Sequence, residues 1–163
     1  MDEQLIVRKA TQADVPAILP LWEEMMRHHA ERDERFATRS DASERFVGYL
    51  SSLLEDDQAC CLVAENSDGA IIGYIIGTIK ERAPIFVRTR QGYVSDICVT
   101  REHRQRGVGQ QLFWQLRKWF RAQGVDHLEM LVAHHNLEGQ AFWRAQGLTD
   151  YFDHMWMDLE DVE

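Results

Sequence analysis

A mixed β-sheet with helices packed on both faces, an α/β fold, is the architecture this sequence predicts, and three observations carry it. Two apolar runs joined by Asn66-Ser67-Asp68-Gly69 read as an antiparallel hairpin. Strand-like and helix-like periods then alternate from Tyr93 onward, the pattern of helices crossing over a sheet. The composition is that of a densely packed soluble protein: 163 residues, 45% apolar, 28% charged, with three prolines. A chain of this length buries roughly two thirds of the surface its unfolded form exposes, so it needs neither disulfides nor a structural metal to fold. One domain over 1–163 is expected, because no repeat, low-complexity tract or Gly/Ser/Pro linker divides the chain.

Taken in order, 5–9 alternates as a short strand. Thr11 and Asp14 mark a helix start before the apolar positions Val15, Ile18, Leu21, Trp22, Met25 and Met26, with a kink expected at Pro20. A second helix starts at Asp41, with Glu44 reaching back, and buries Phe46, Val47, Leu50, Leu53 and Leu54. The hairpin strands are 60–65 and 70–80, followed by a loop of about a dozen residues. A strand at 93–99, a basic turn, a helix at 107–123, a strand at 127–132, a helix at 137–146 ended by Gly147 and a last strand near 151–159 complete the prediction.

Charge and cysteine usage narrow the function. The longest nearly uncharged apolar stretch, 70–79, is about half of a bilayer span, and the start (Met1, Asp2, Glu3) is acidic where a signal peptide is basic. Three cysteines (Cys60, Cys61, Cys98) form neither a C-x-x-C pair nor an even framework, which favours a reducing, cytoplasmic compartment. The net charge of −9 argues against a nucleic-acid or membrane partner. Within this acidic chain, however, seven cations (Lys80, Arg82, Arg88, Arg90, Arg101, Arg104, Arg106) stand against three acids (Glu81, Asp96, Glu102), a local patch that suits an anionic small ligand.

The turn Arg104-Gln105-Arg106-Gly107-Val108-Gly109 lies between an apolar strand and a helix whose buried face is Val108, Leu112, Phe113, Leu116, Trp119 and Phe120. A helix start carries unpaired N–H groups and about half a positive charge, and glycines let the backbone close on a phosphate. Alone, the spelling serves a tight strand-to-helix turn equally well. No Gly-Lys-Ser/Thr follows as a Walker loop requires, and Leu112 stands where a dinucleotide fingerprint needs its third glycine.

Arg104 to Gly109 resembles the R/Q-x-x-G-x-G/A motif of the GCN5-related N-acetyltransferases (GNAT family). Asn136, Gly139, Phe142, Trp143, Gly147 and Leu148 are similar in register to that family's N-x-x-A-x-x-(F/L)-Y-x-x-x-G-F string. The resemblance spans almost the whole chain. It implies an acyl-CoA N-acyltransferase fold whose strands 93–99 and 127–132 splay apart around the pantetheine arm of acetyl-CoA, the expected cosubstrate, with no metal. By the same resemblance the Arg104–Gly109 turn holds the pyrophosphate, backbone groups of Ile97, Cys98 and Val99 bond the arm and the acetyl carbonyl, and Asn136 closes on the arm from the other side.

The catalytic pattern departs from the family. Its frequent general acid, the tyrosine of F-Y, is Trp143 here, which suits a packing or pocket-wall role beside the acceptor. Polyamine and arylalkylamine members carry Glu or His where Ser95 stands. Asp96 is the nearest carboxylate, but alternation points it to the opposite face unless a bulge intervenes. Tyr93 shares the face of Ser95 and could join a water chain. Glu24 and His29, with His28, Asp33, Glu34 and Phe36, form an acidic, aromatic-edged region suited to a cationic amine, and His134 or His135 could relay protons; each also has a plain surface explanation. The expectation is acetyl transfer to a primary amine of a small molecule or a protein, by a chain compatible with homodimer formation. The alternative is a non-catalytic acyl-CoA binding or sensing module.

Overall fold

Strand β2 (Ala59–Glu65) and strand β3 (Ile71–Glu81) form the hairpin, closed by the Asn66 side chain, which accepts from Asp68 N (3.1 Å) and Ala70 N (2.9 Å). The structure is a computed structural model describing residues 5–159; the acidic start 1–3 lies outside them. β1 (Ile6–Lys9) pairs antiparallel with β2, and β4 (Arg90–Val99) pairs antiparallel with β3. β5 (Leu128–Met130) is parallel to β4, giving one sheet of order β1-β2-β3-β4-β5. Because β3 and β4 both extend further than their apolar runs, the loop between them shrinks to 82–89.

Helices α1 (Val15–Ala30) and α2 (Ala42–Leu54) cover one face, where Val15, Ile18, Leu21, Phe46, Leu50, Cys61, Tyr74, Ile76 and Cys98 are buried together. α1 follows a 3-10 turn at Gln12–Asp14 and continues through Pro20. α2 has Asp41 as its N-cap residue, yet no Glu44 bond reaches back; Asp41 instead accepts from Arg39 and Arg45. α3 (Val108–Ala122) covers the other face together with α4 (Leu137–Ala145), enclosing Leu112, Phe113, Leu116, Phe120, Ile75, Val94 and Trp143. α3 can lie this close because Gly77 and Gly92 face it. An added Cβ would come within 2.7 Å of Leu116 and 2.9 Å of Phe120.

The last predicted strand does not form. Residues 151–158 have no regular structure, and Tyr151, Phe152, Met155, Trp156, Met157 and Leu159 are exposed, from 67% to 87%. Alternation makes a segment competent as a strand, but a strand also needs a neighbour to take its hydrogen bonds. Among the described residues the sheet has a free edge at β5, and this segment does not occupy it. No helix among the described residues is long and apolar enough to cross a membrane.

Candidate active site

The basic turn leads into α3 with Gly107 as N-cap at φ +82°, and Gln105 also holds a positive φ of 60°. Such a backbone aims successive N–H groups toward one concavity. The first helical bond is made by Gln111 N to Gly107 O (3.0 Å), so the N–H groups of 108–110 have no intrahelical acceptor. Gly107 has open space where a Cβ would stand, so the backbone conformation alone requires glycine there. Gly109 instead serves packing: a Cβ would lie 3.4 Å from Phe142.

Beside this turn the sheet opens. The β4–β5 ladder pairs Gly92 to Val94 with Leu128 to Met130 and then stops, while β4 runs on to Val99. Ser95, Asp96, Ile97, Cys98 and Val99 therefore have no strand on the β5 side. The diverged chain is held elsewhere: Gln140 Nε2 donates to His134 O (2.9 Å) and Ala133 O (3.3 Å), and Asn136 Oδ1 caps α4 by accepting from Gly139 N (3.0 Å). Gly139 is glycine for that cap, since a Cβ would sit 2.5 Å from the Asn136 amide. Asn136 is thus at the far wall of the opening, with its carbonyl oxygen engaged in the cap.

A bulge reverses one expectation about β4. Asp96 pairs with Ile76, but Val94 pairs with Gly77, so Ser95 is the extra residue and has no partner. Val94 stays in the α3-side core, whereas Cys98, and with it Asp96 by alternation, faces α1 and α2. Tyr93 consequently shares a face with Asp96 rather than with Ser95, which is exposed. Burial pushes the Asp96 carboxyl above its usual range, against a hydrogen bond from Ser95. Burial, with the Asp96 charge as a further cause, also raises the phenols of Tyr93, Tyr49 and Tyr74. The buried Tyr74 hydroxyl has no hydrogen-bond partner among the described residues. Nothing in the one-dimensional pattern marks Tyr49 or Tyr74 as a neighbour of Asp96, because the contact depends on how α2 and β3 pack over the bulge.

Other predicted residues fall in different places. Arg104 donates from Nε to Val99 O (3.0 Å), and its Nη2 lies 3.7 Å from Glu24, so one carbonyl assigned to the arm is already bonded. Glu24 lines a cleft of about 360 Å³ with Arg27, His28, Arg101, Arg104 and Glu138. His29 lies at the end of α1 and meets His135. Trp143 is 5% exposed and packed edge-on against Phe113 (5.0 Å) and beside Phe142 (4.9 Å), as a core residue. The large indole fills the α3–α4 interface. Cys60, Cys61 and Cys98 are buried and free, and burial pushes their thiols up to about 11, 12 and 11. Among the described residues no group of three or more His, Cys, Asp or Glu side chains is placed to hold a metal ion.

The family model for the acetyltransferase (GNAT) family matches residues 20–148, and the chain belongs to that family. It has no match among curated proteins. Among solved structures it is similar to a tetramutant of the BH1408 protein from Bacillus halodurans, with TM-score 0.82 and 20% identity over 94% of this chain and 99% of that one. It is also similar to the aminoglycoside N-acetyltransferase AAC(6')-Iy in complex with CoA, with TM-score 0.80 and 16% identity over 98% and 97% of the two chains. A GCN5-related N-acetyltransferase from Ralstonia eutropha JMP134 gives TM-score 0.78 and 20% identity over 95% and 99%. At these identities the likeness is one of fold.

Proposed function

We propose that this protein is an N-acetyltransferase that moves the acetyl group of acetyl-CoA to a primary amine, as a single domain spanning the chain. The observation that carries the reading is the β4 edge from Ser95 to Val99, left without a strand beside the N-terminus of α3. The residues fit the cosubstrate. Backbone amides at Gly107, Val108 and Gly109, with the charges of Arg104 and Arg106 and the side chain of Gln105, suit a pyrophosphate. The strandless edge at Ile97, Cys98 and Val99, where Arg104 already engages the Val99 carbonyl, suits an extended amide arm as a neighbouring strand would. Acetyl-CoA, when bound, supplies an acetyl group activated as a thioester.

The chain's own part is binding and proton handling. Asp96 accepts a proton from the amine, and its raised pKa makes it a stronger base than an ordinary carboxylate. Ser95 steadies that carboxyl by its hydrogen bond, and Tyr93 stands on the same face. Trp143, walled into the core, supplies no acid, so the leaving thiolate is protonated by solvent or by the proton the amine brings. Glu24 and His29, both on α1, are the residues we assign to the amine acceptor, Glu24 through its negative charge. The aminoglycoside acetyltransferases of similar fold support a small amine as acceptor. Release of coenzyme A thiol across small cationic amines, amino acids and lysine- or amine-terminated peptides tests the reading, with turnover expected for at least one.

A second reading, a non-catalytic acyl-CoA binding module, is favoured by Ser95 and Trp143 standing in the family's base and acid positions. Tight acetyl-CoA binding with no turnover across that panel supports it. We also propose a cytoplasmic location, supported by the three free thiols, and a homodimer in which segment 151–159 of each copy covers the free β5 edge of the other.

A further inference from the structure

His29, at the end of α1, and His135, on the chain that diverges from β4, approach with Nδ1 and Nε2 3.2 Å apart. Two imidazole nitrogens at that distance bond only if one carries hydrogen and the other a lone pair. His135 Nδ1 lies 4.0 Å from Asp33 Oδ2, which favours the tautomer with hydrogen on Nδ1 and the lone pair on Nε2. His29 then donates from Nδ1. Phe36 holds both rings, stacked on His29 at 5.0 Å and edge-on to His135 at 5.7 Å. Burial lowers the His29 pKa, and His135, His28 and Arg32 lower it further. Asp33 is itself paired with Arg35, while His28 faces Arg104 and Glu138.

This contact ties α1 and the 3-10 turn at Glu34–Phe36 to the wall of the opening, one residue before the α4 cap at Asn136. Resting on the acetyltransferase reading, we propose that His29 and Asp33 position His135, and through it the diverged wall 131–136, for coenzyme A, and that this hold requires an unprotonated nitrogen in the His29–His135 pair. When both rings are protonated, both facing nitrogens are donors and the two cations repel. The hold is therefore present while one facing nitrogen keeps its lone pair and is lost when acidification protonates both rings. These three are positioning residues; none is required to touch the acyl group.

Calorimetry of the full chain with coenzyme A at pH 7.5 and pH 5.5 tests this, with His29 and His135 ring signals followed by NMR in the same range. Wild type should weaken about fivefold more on acidification than His135→Gln, whose uncharged amide keeps a bond to His29 at both pH values. The coenzyme's own phosphate titrates here too, but identically for both proteins. His135→Ala should bind about fivefold more weakly at pH 7.5, with acetyl-transfer KM for acetyl-CoA raised and kcat little changed. Equal pH dependence in wild type and His135→Gln, or His29 titrating identically in wild type and His135→Ala, overturns the hold alone. No coenzyme A binding at pH 7.5 overturns the reading of the opening, and the hold with it.

Discussion

Gly107 stands at φ +82° with nothing within 4 Å of a Cβ, so its identity answers to backbone conformation and not to crowding. A β-branched residue there costs about 1–2 kcal/mol locally and turns the α3 amides away from their concavity. Gly107→Val is expected to abolish the rise in melting temperature that acetyl-CoA gives wild type, read by thermal unfolding with and without ligand. An undiminished rise rules out the assigned anion turn. Asp96 poses the opposite case. Its folded pKa is raised above the usual carboxylate value, so the folded state binds more protons in the window between the two. Stability falls as pH rises through that window, and the cost is fully present above it. Asp96→Asn should keep or raise the melting temperature at pH 7 while lowering kcat/KM about a hundredfold or more. A lowered melting temperature with unchanged kcat/KM marks Asp96 as structural.

At the next scale, one guanidinium knits three elements. Arg8 of β1 donates to Asp14 Oδ1 (2.9 Å) and Oδ2 (2.8 Å) and also reaches Glu65 of β2 (2.9 Å), while Asp14 accepts from Thr11 N (2.8 Å) just before α1. These bonds, led by Arg8, hold the Asp14 carboxyl down at about 2. The stabilisation is present above the ordinary value near 3.8 and lost as pH falls through about 2, and the shift corresponds to about 2 kcal/mol. Asp14→Asn should lose at least about that much at pH 7 in urea unfolding, with a flatter acid limb between pH 4 and 2. An unchanged midpoint shows that solvent replaces the Arg8 bonds without cost. The Thr11–Asp14 start was legible beforehand and forms its capping box, with Asp14 accepting from Thr11 N. The start at Asp41 was legible too, but its partners were not. Asp41 spends its carboxylate on Arg39 and Arg45, a choice made by which guanidinium lies within reach.

Across the whole molecule, the exposed apolar side chains of 151–159 and the open β5 edge belong to one chain that carries both halves of a strand pairing. Light scattering after gel filtration should give a dimer, and Trp156→Asp should shift it toward monomer. A monomeric wild type at high concentration refutes the exchange. The sequence by itself determined the order of strands and helices as far as α4, the hairpin and the glycine turn into α3 at Arg104–Gly109, because each is written in local periodicity or in the spelling of a single turn. Tertiary structure alone decided that Ser95 bulges, that Asp96 rather than Ser95 shares a face with Tyr93, that the β4–β5 ladder stops at Val94, that Trp143 is core, that His29 meets His135 and that 151–159 stays unpaired. The physical reason is common to all of them. Register, burial and strand pairing are properties of two segments brought together from distant parts of the chain, and one segment's pattern fixes what it can pair with, not whether the partner arrives.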